Sequence, residues 1–185
     1  MKAALAVFPT FLLSTLLCST LAFAQEQSPL AGVEAACGPK EVQFDAHSAP
    51  SLPLAQPEAG KGLVYVVEEF DKLPTQIARP TLRVGVDGKW VGADKGNSYI
   101  SFSVDPGEHH LCTNWQSRLK QLSNEAAFTS FTTDSGKIYF FRARITEHGG
   151  SIGGSTFTLD LEPVNEDQGK YLVASSALSA SKPKK

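Results

Sequence analysis

The sequence is poor in net charge, in cysteine and in long apolar runs. Its 185 residues carry 17 basic and 19 acidic side chains, a formal charge of −2. With no basic excess, the electrostatic footprint of nucleic-acid binding is absent. Beyond Ala24 no segment is long and apolar enough to span a bilayer. No Gly-x-Ser-x-Gly elbow occurs, and the glycines of HGGSIGG (148–154) are not followed by the Gly-Lys-Ser/Thr of a phosphate loop. No internal repeat is visible. There are three cysteines, Cys18, Cys37 and Cys112.

What is present begins at the amino terminus. After Lys2 there is no charge until Glu26, and a leucine-rich run ends in Ala22-Phe23-Ala24. A basic start, an apolar centre and small residues flanking one larger one form the pattern of a secretory signal peptide, expected to span residues 1–24 with cleavage before Gln25. An uncleaved membrane anchor and a lipoprotein acylated at Cys18 are the alternatives. Leu17 stands where the latter needs a small residue. Cleavage would remove Lys2 and no acid, leaving a charge of −3 and a chain that fits one domain of ordinary size. It would also leave two cysteines in an oxidising compartment. A Cys37–Cys112 disulfide is therefore expected, with two separate buried thiols as the alternative.

Residues 25–61 read as a leader with a short strand at 41–45, followed by a connector containing Pro50, Pro53 and Pro57. From residue 63 the pattern is β. Strands are predicted at 63–70, 81–86, 99–104, 109–115, 126–133, 137–146 and 156–162, with turns at Asp87-Gly88, Asp105-Pro106-Gly107 and Asp134-Ser135-Gly136. Ile138, Tyr139, Phe140 and Phe141 run without alternation, as in a central strand covered on both faces. If Cys112 is bridged, the leader must cross the face of its strand that Leu111 and Trp115 do not occupy. Asn165, Glu166 and Asp167 open a helix, which Gly169 weakens, and residues 179–185 read as a solvated basic tail. The expected architecture is mainly β: an antiparallel β-sandwich with one C-terminal helix over residues 62–178.

Within VDGKWVGADKGNSYISFSVDPGEHHLC the chain resembles bacterial secreted proteins grouped as domain of unknown function 2846. Their core is similar to the PEGA-type repeat. The resemblance rests on Val86, Asp87, Gly88 and Lys89, on Gly92, and on Pro106, Gly107, Glu108 and His109. Gly136, Lys137, Tyr139 and Phe140 add to it, over roughly residues 62–178. It implies an Ig-like or transthyretin-like sandwich in the bacterial envelope and carries over no catalytic residue. Many relatives have an arginine near the end of the first core strand, where this chain has Glu68 and Glu69.

Candidate chemistry is sparse. His109 and His110 lie near Asp105 and Glu108, but neighbours on a strand point to opposite faces and do not readily share one ion. Glu68, Glu69 and Asp71 are readable as paired carboxylates or, more simply, as a solvated strand end. Trp90, Tyr99 and Trp115 are the candidate binding residues, able to stack on a sugar or anchor a peptide if exposed and otherwise core. The expected function is a noncatalytic periplasmic or secreted module that binds an unknown envelope protein or glycan, or supports an envelope assembly. No cofactor and no nucleic acid are expected, and membrane contact only through the uncleaved signal peptide. The alternative is a metal-dependent or hydrolytic envelope enzyme using His109 or His110 with Glu108, Asp105 or His148, which requires three such groups to converge.

Overall fold

Side chains of alternating polarity sort the strands into two facing sheets. A computed structural model describes residues 37–70, 79–149 and 156–185. Their elements run β1 (Phe44–Ala49), β2 (Gly62–Phe70), β3 (Thr81–Val86), β4 (Lys89–Lys95), β5 (Ser98–Val104), β6 (Gly107–Trp115), α1 (Lys120–Ser123), β7 (Ala126–Thr133), β8 (Ile138–His148), β9 (Thr156–Val164), α2 (Glu166–Ser175) and β10 (Ala177–Pro183). One sheet has the order β1-β10-β5-β2-β8-β9, the other β4-β3-β6-β7. The expected mainly-β sandwich is the observed fold. Its four-stranded sheet is antiparallel throughout, whereas β2 with β8 and β10 with β5 pair in parallel. The chain between β2 and β8 passes through the other sheet, which supplies the long connection that parallel pairing needs.

The core between the sheets gathers Val64 and Val66 of β2, Leu82 and Val84 of β3, Leu111 and Trp115 of β6, and Phe141 and Ile145 of β8. Each fully buried aliphatic or aromatic side chain there contributes about 1.5–3 kcal/mol. A second core lies on the outer face of the six-stranded sheet, where Leu172 and Val173 of α2 cover Leu63, Tyr65, Val67, Tyr99 and Phe140. Phe140 and Phe141 thus face opposite cores, as the unbroken apolar run predicts. Asn165 Oδ1 caps α2 by accepting the Gln168 N–H at 2.9 Å. Gly169 is no weakness here. A Cβ at that position would lie 2.1 Å from Phe140 Cγ, so glycine is what lets the helix touch the sheet.

The proline-rich segment covers this outer face around Tyr65 and Tyr99. Leu52 N–H donates to the Tyr99 hydroxyl at 3.0 Å and Ala55 N–H to the Tyr65 hydroxyl at 2.8 Å, so both buried phenols are satisfied. The first strand is displaced from the expected 41–45 to Phe44–Ala49 and runs up to Pro50. The expected basic tail is instead β10, which pairs antiparallel with β1. Ser179 Oγ donates to Ala93 O at 2.7 Å and Ser181 Oγ accepts the Ala93 N–H at 3.0 Å. These hydroxyls complete the backbone of β4, which explains why a segment so poor in large apolar residues is ordered.

Cys37 and Cys112 are disulfide-bonded, with their Cα atoms 5.5 Å apart. As expected of a bridged Cys112, the leader crosses the outer face of the four-stranded sheet. A Cβ on Gly85 would stand 2.5 Å from the Cys37 carbonyl oxygen. Arg83 secures the crossing: Nη1 donates to the carbonyls of Lys40 and Val42 at 3.0 and 2.7 Å, and Nη2 donates to Asn114. Residues 1–36, 71–78 and 150–155, which include the expected signal peptide, the start of the leader, Asp71 and most of HGGSIGG, lie outside the described residues.

Candidate functional site

The arginines of β8 lead to the most distinctive surface. Inward residues Phe141, Ala143 and Ile145 alternate with Arg142 and Arg144, which therefore project from the outer face. In register, Arg142 stands opposite Glu162 and Arg144 opposite Asp160 on β9, with Glu69 of β2 on the other side of Arg144. Arg142 Nε donates to Glu162 at 2.9 Å and its Nη1 to Glu69 at 3.2 Å, and Arg144 Nη2 reaches the same Glu69 oxygen at 3.2 Å. Burial alone disfavours the Arg142 charge, but Glu162 and Glu69 outweigh it and raise its pKa.

Beside this ion-pair lattice lies a cleft of about 370 Å³, lined by Ala127 and Phe128 of β7, Arg144 of β8, and Leu159, Asp160, Leu161 and Glu162 of β9. Strands β7 and β9 are the terminal strands of their sheets, so the cleft opens where two sheet edges meet on one flank. Phe128 is 50 % exposed. An exposed ring, an arginine and two carboxylates along strand edges can hold an extended segment through its main chain, an apolar side chain and a charge.

The three candidate aromatics do not converge. Trp115 is buried in the inter-sheet core with its ring edge-on to Phe157, and Tyr99 is buried in the outer core against Tyr65. Neither offers a ring face to a ligand. Trp90 is half-exposed, but Arg83 sits 4.3 Å over its ring and its Nε1 donates to the Pro39 carbonyl at 2.8 Å. It pins the leader.

His109 is similarly engaged. His109 Nδ1 and Asp87 Oδ2 are 2.7 Å apart, and Nε2 is 2.7 Å from the Asp105 carbonyl oxygen. Asp87 Oδ1 also accepts the His110 N–H at 2.9 Å, so one carboxylate ties two turns together. Burial opposes the His109 charge, yet the Asp87 and Asp105 contacts leave its pKa raised. Burial likewise works against the Asp87 charge, but the His110 N–H and His109 leave its pKa lowered. Both ring nitrogens of His109 are thus occupied. Among the described residues no three His, Cys, Asp or Glu side chains gather as a metal-binding group.

Glu68 corrects the reading of a solvated strand end. It is 1 % exposed, and burial pushes its carboxyl up to about 8 against the opposing hydrogen bond from Gly96. Asp94 is fully buried on β4, and burial together with the nearby Glu68 holds its pKa well above the ordinary range. Glu69 does face solvent in part, as a member of the arginine lattice.

No curated protein and no solved structure matches this sequence. A family model does match, over residues 58–155, which is more than half of the chain and runs from just before β2 past the end of β8. The chain belongs to the family described as Protein of unknown function (DUF2846).

Proposed function

We propose that this chain is a noncatalytic binding module, exported to the periplasm or beyond, that holds a segment of an envelope protein in the cleft between β7 and β9. The observation that carries the reading is the exposed Phe128 beside Arg144, Asp160 and Glu162 at the meeting of two sheet edges. Edge strands left uncovered invite strand addition, and a half-exposed ring next to them supplies an anchor. The signal-peptide pattern of residues 1–24 supports export, and the Cys37–Cys112 bond is in keeping with an oxidising compartment.

Photocrosslinking tests the cleft. With a benzophenone amino acid at position 128, irradiation of cells carrying the processed protein is expected to give a discrete protein adduct. Arg144→Glu should weaken it, and the same probe at position 47, on exposed β1, should not give it. Absence of any adduct at 128, or an identical adduct from 47, contradicts the proposal. An adduct that survives protease treatment replaces the protein partner with a glycan.

A further inference from the structure

Glu68 on β2 and Asp94 on β4 enter the inter-sheet space from opposite sheets. They come near enough for the Glu68 charge to act on Asp94, beside residues 95–98, which carry the chain from one sheet to the other. Alternation sets their direction: Glu68 shares the inner face of β2 with Val64 and Val66, and Asp94 stands opposite the core residue Leu82. Glu68 is 1 % exposed and Asp94 0 %. The Gly96 N–H donates to Glu68 Oε2 at 2.8 Å, which orients the carboxyl and leaves Oε1 without a hydrogen-bond partner. Both oxygens of Asp94 are also without one. Ser98, fully buried, precedes Tyr99, the partner of Val67, and so lies on the inner face beside Glu68. Its Oγ accepts the Lys95 N–H at 2.9 Å and retains a further lone pair.

Three buried carboxylate oxygens with no donors are a costly arrangement if left bare. Among the described residues no lysine, arginine or histidine forms an ion pair with either acid. Arg79 lays its aliphatic stem over Gly96. Protonation would remove the charges, but each carboxyl would then need an acceptor for its O–H, and Asp94 has no hydrogen-bond partner for either oxygen. A divalent cation meets both requirements at once, neutralising two charges and taking up the orphaned oxygens. An all-oxygen donor set suits a hard ion of the calcium, magnesium or manganese kind, and the absence of imidazole and thiolate disfavours zinc or copper. We propose that Glu68 and Asp94, with Ser98 beside them, bind one hard divalent cation that clamps the two sheets together beneath the corner at residues 95–98.

The test uses the purified, disulfide-bonded protein stripped with EDTA at neutral pH. Calcium, magnesium and manganese are added singly, with melting temperature and calorimetric stoichiometry read for each. At least one ion should bind once per chain and raise Tm by roughly 5–10 °C at a concentration about 100 times its Kd. Glu68→Gln and Asp94→Asn should each abolish that shift. As neutral isosteres they should still melt no lower than the stripped parent, which shows that they fold. If none of the three ions moves the Tm of the parent protein, or if the shift survives in both variants, the proposal is overturned.

Discussion

At the scale of single residues, the buried acids dominate the physical chemistry. In chelator, with no ion to neutralise it, Glu68 keeps its proton in the folded state up to about pH 8 but loses it near pH 4.5 when unfolded. Between those values the folded state binds more protons than the unfolded one, so stability is greatest at the acid end and falls as pH rises. The expected slope is about 1.4 kcal/mol per pH unit from this group alone. Glu68→Gln should reduce it, leaving the part that buried Asp94 contributes in the same direction. Urea unfolding in EDTA from pH 5 to 9 checks this, and an unchanged slope in the variant would assign the dependence to other groups. Glu68 is partly legible in the sequence, because Val64, Val66 and Glu68 share a strand phase that points inward. Its neighbour Glu69 is partly exposed, and the run of acids makes a solvated strand end the simpler reading. Asp94 is less legible still. In GADKGN the small and polar residues suggest a loop, and only the closure of β4 against β3 and the serines of β10 buries it.

Among the elements, those that announce themselves through local chemistry are the readable ones. The Asp87-Gly88 turn, with both residues at positive φ, and the Asn165 cap of α2 are set within a few residues, and both stand where the pattern puts them. Strand β10 is not readable in this way, because what orders ALSASKP is pairing with β1 and hydroxyl contacts to β4, partners far off in the chain. The β7–β9 cleft is hidden for the same reason: each strand looks ordinary, and only the meeting of two sheet edges makes a surface. Helix α2 gives a sharp prediction. Gly169→Ala trades a small propensity gain for a Cβ that would lie 2.1 Å from Phe140 Cγ, so the helix must lift from Tyr65 and Phe140. Denaturant unfolding should show a loss of about 1–3 kcal/mol. A neutral or stabilising result would mean that the helix does not sit against the sheet as described.

For the whole molecule, two sheets bury one core between them, while α2 and the proline-rich segment cover a second core on the larger sheet. The leader is tied across the smaller sheet by Arg83, Trp90 and the Cys37–Cys112 bond. With the cysteines 75 residues apart in sequence, that bond contributes about 4 kcal/mol in the chain-entropy model, a large share of the stability of a domain this size. It also connects the fold to its proposed location, since such a bond persists only where thiols are oxidised. The most direct test is mass analysis of the protein recovered from the envelope of producing cells, alkylated without reductant. The chain should begin at Gln25, and neither Cys37 nor Cys112 should take up the alkylating agent. A chain still carrying residues 1–24, or alkylation at both cysteines, would contradict export of a covalently closed sandwich.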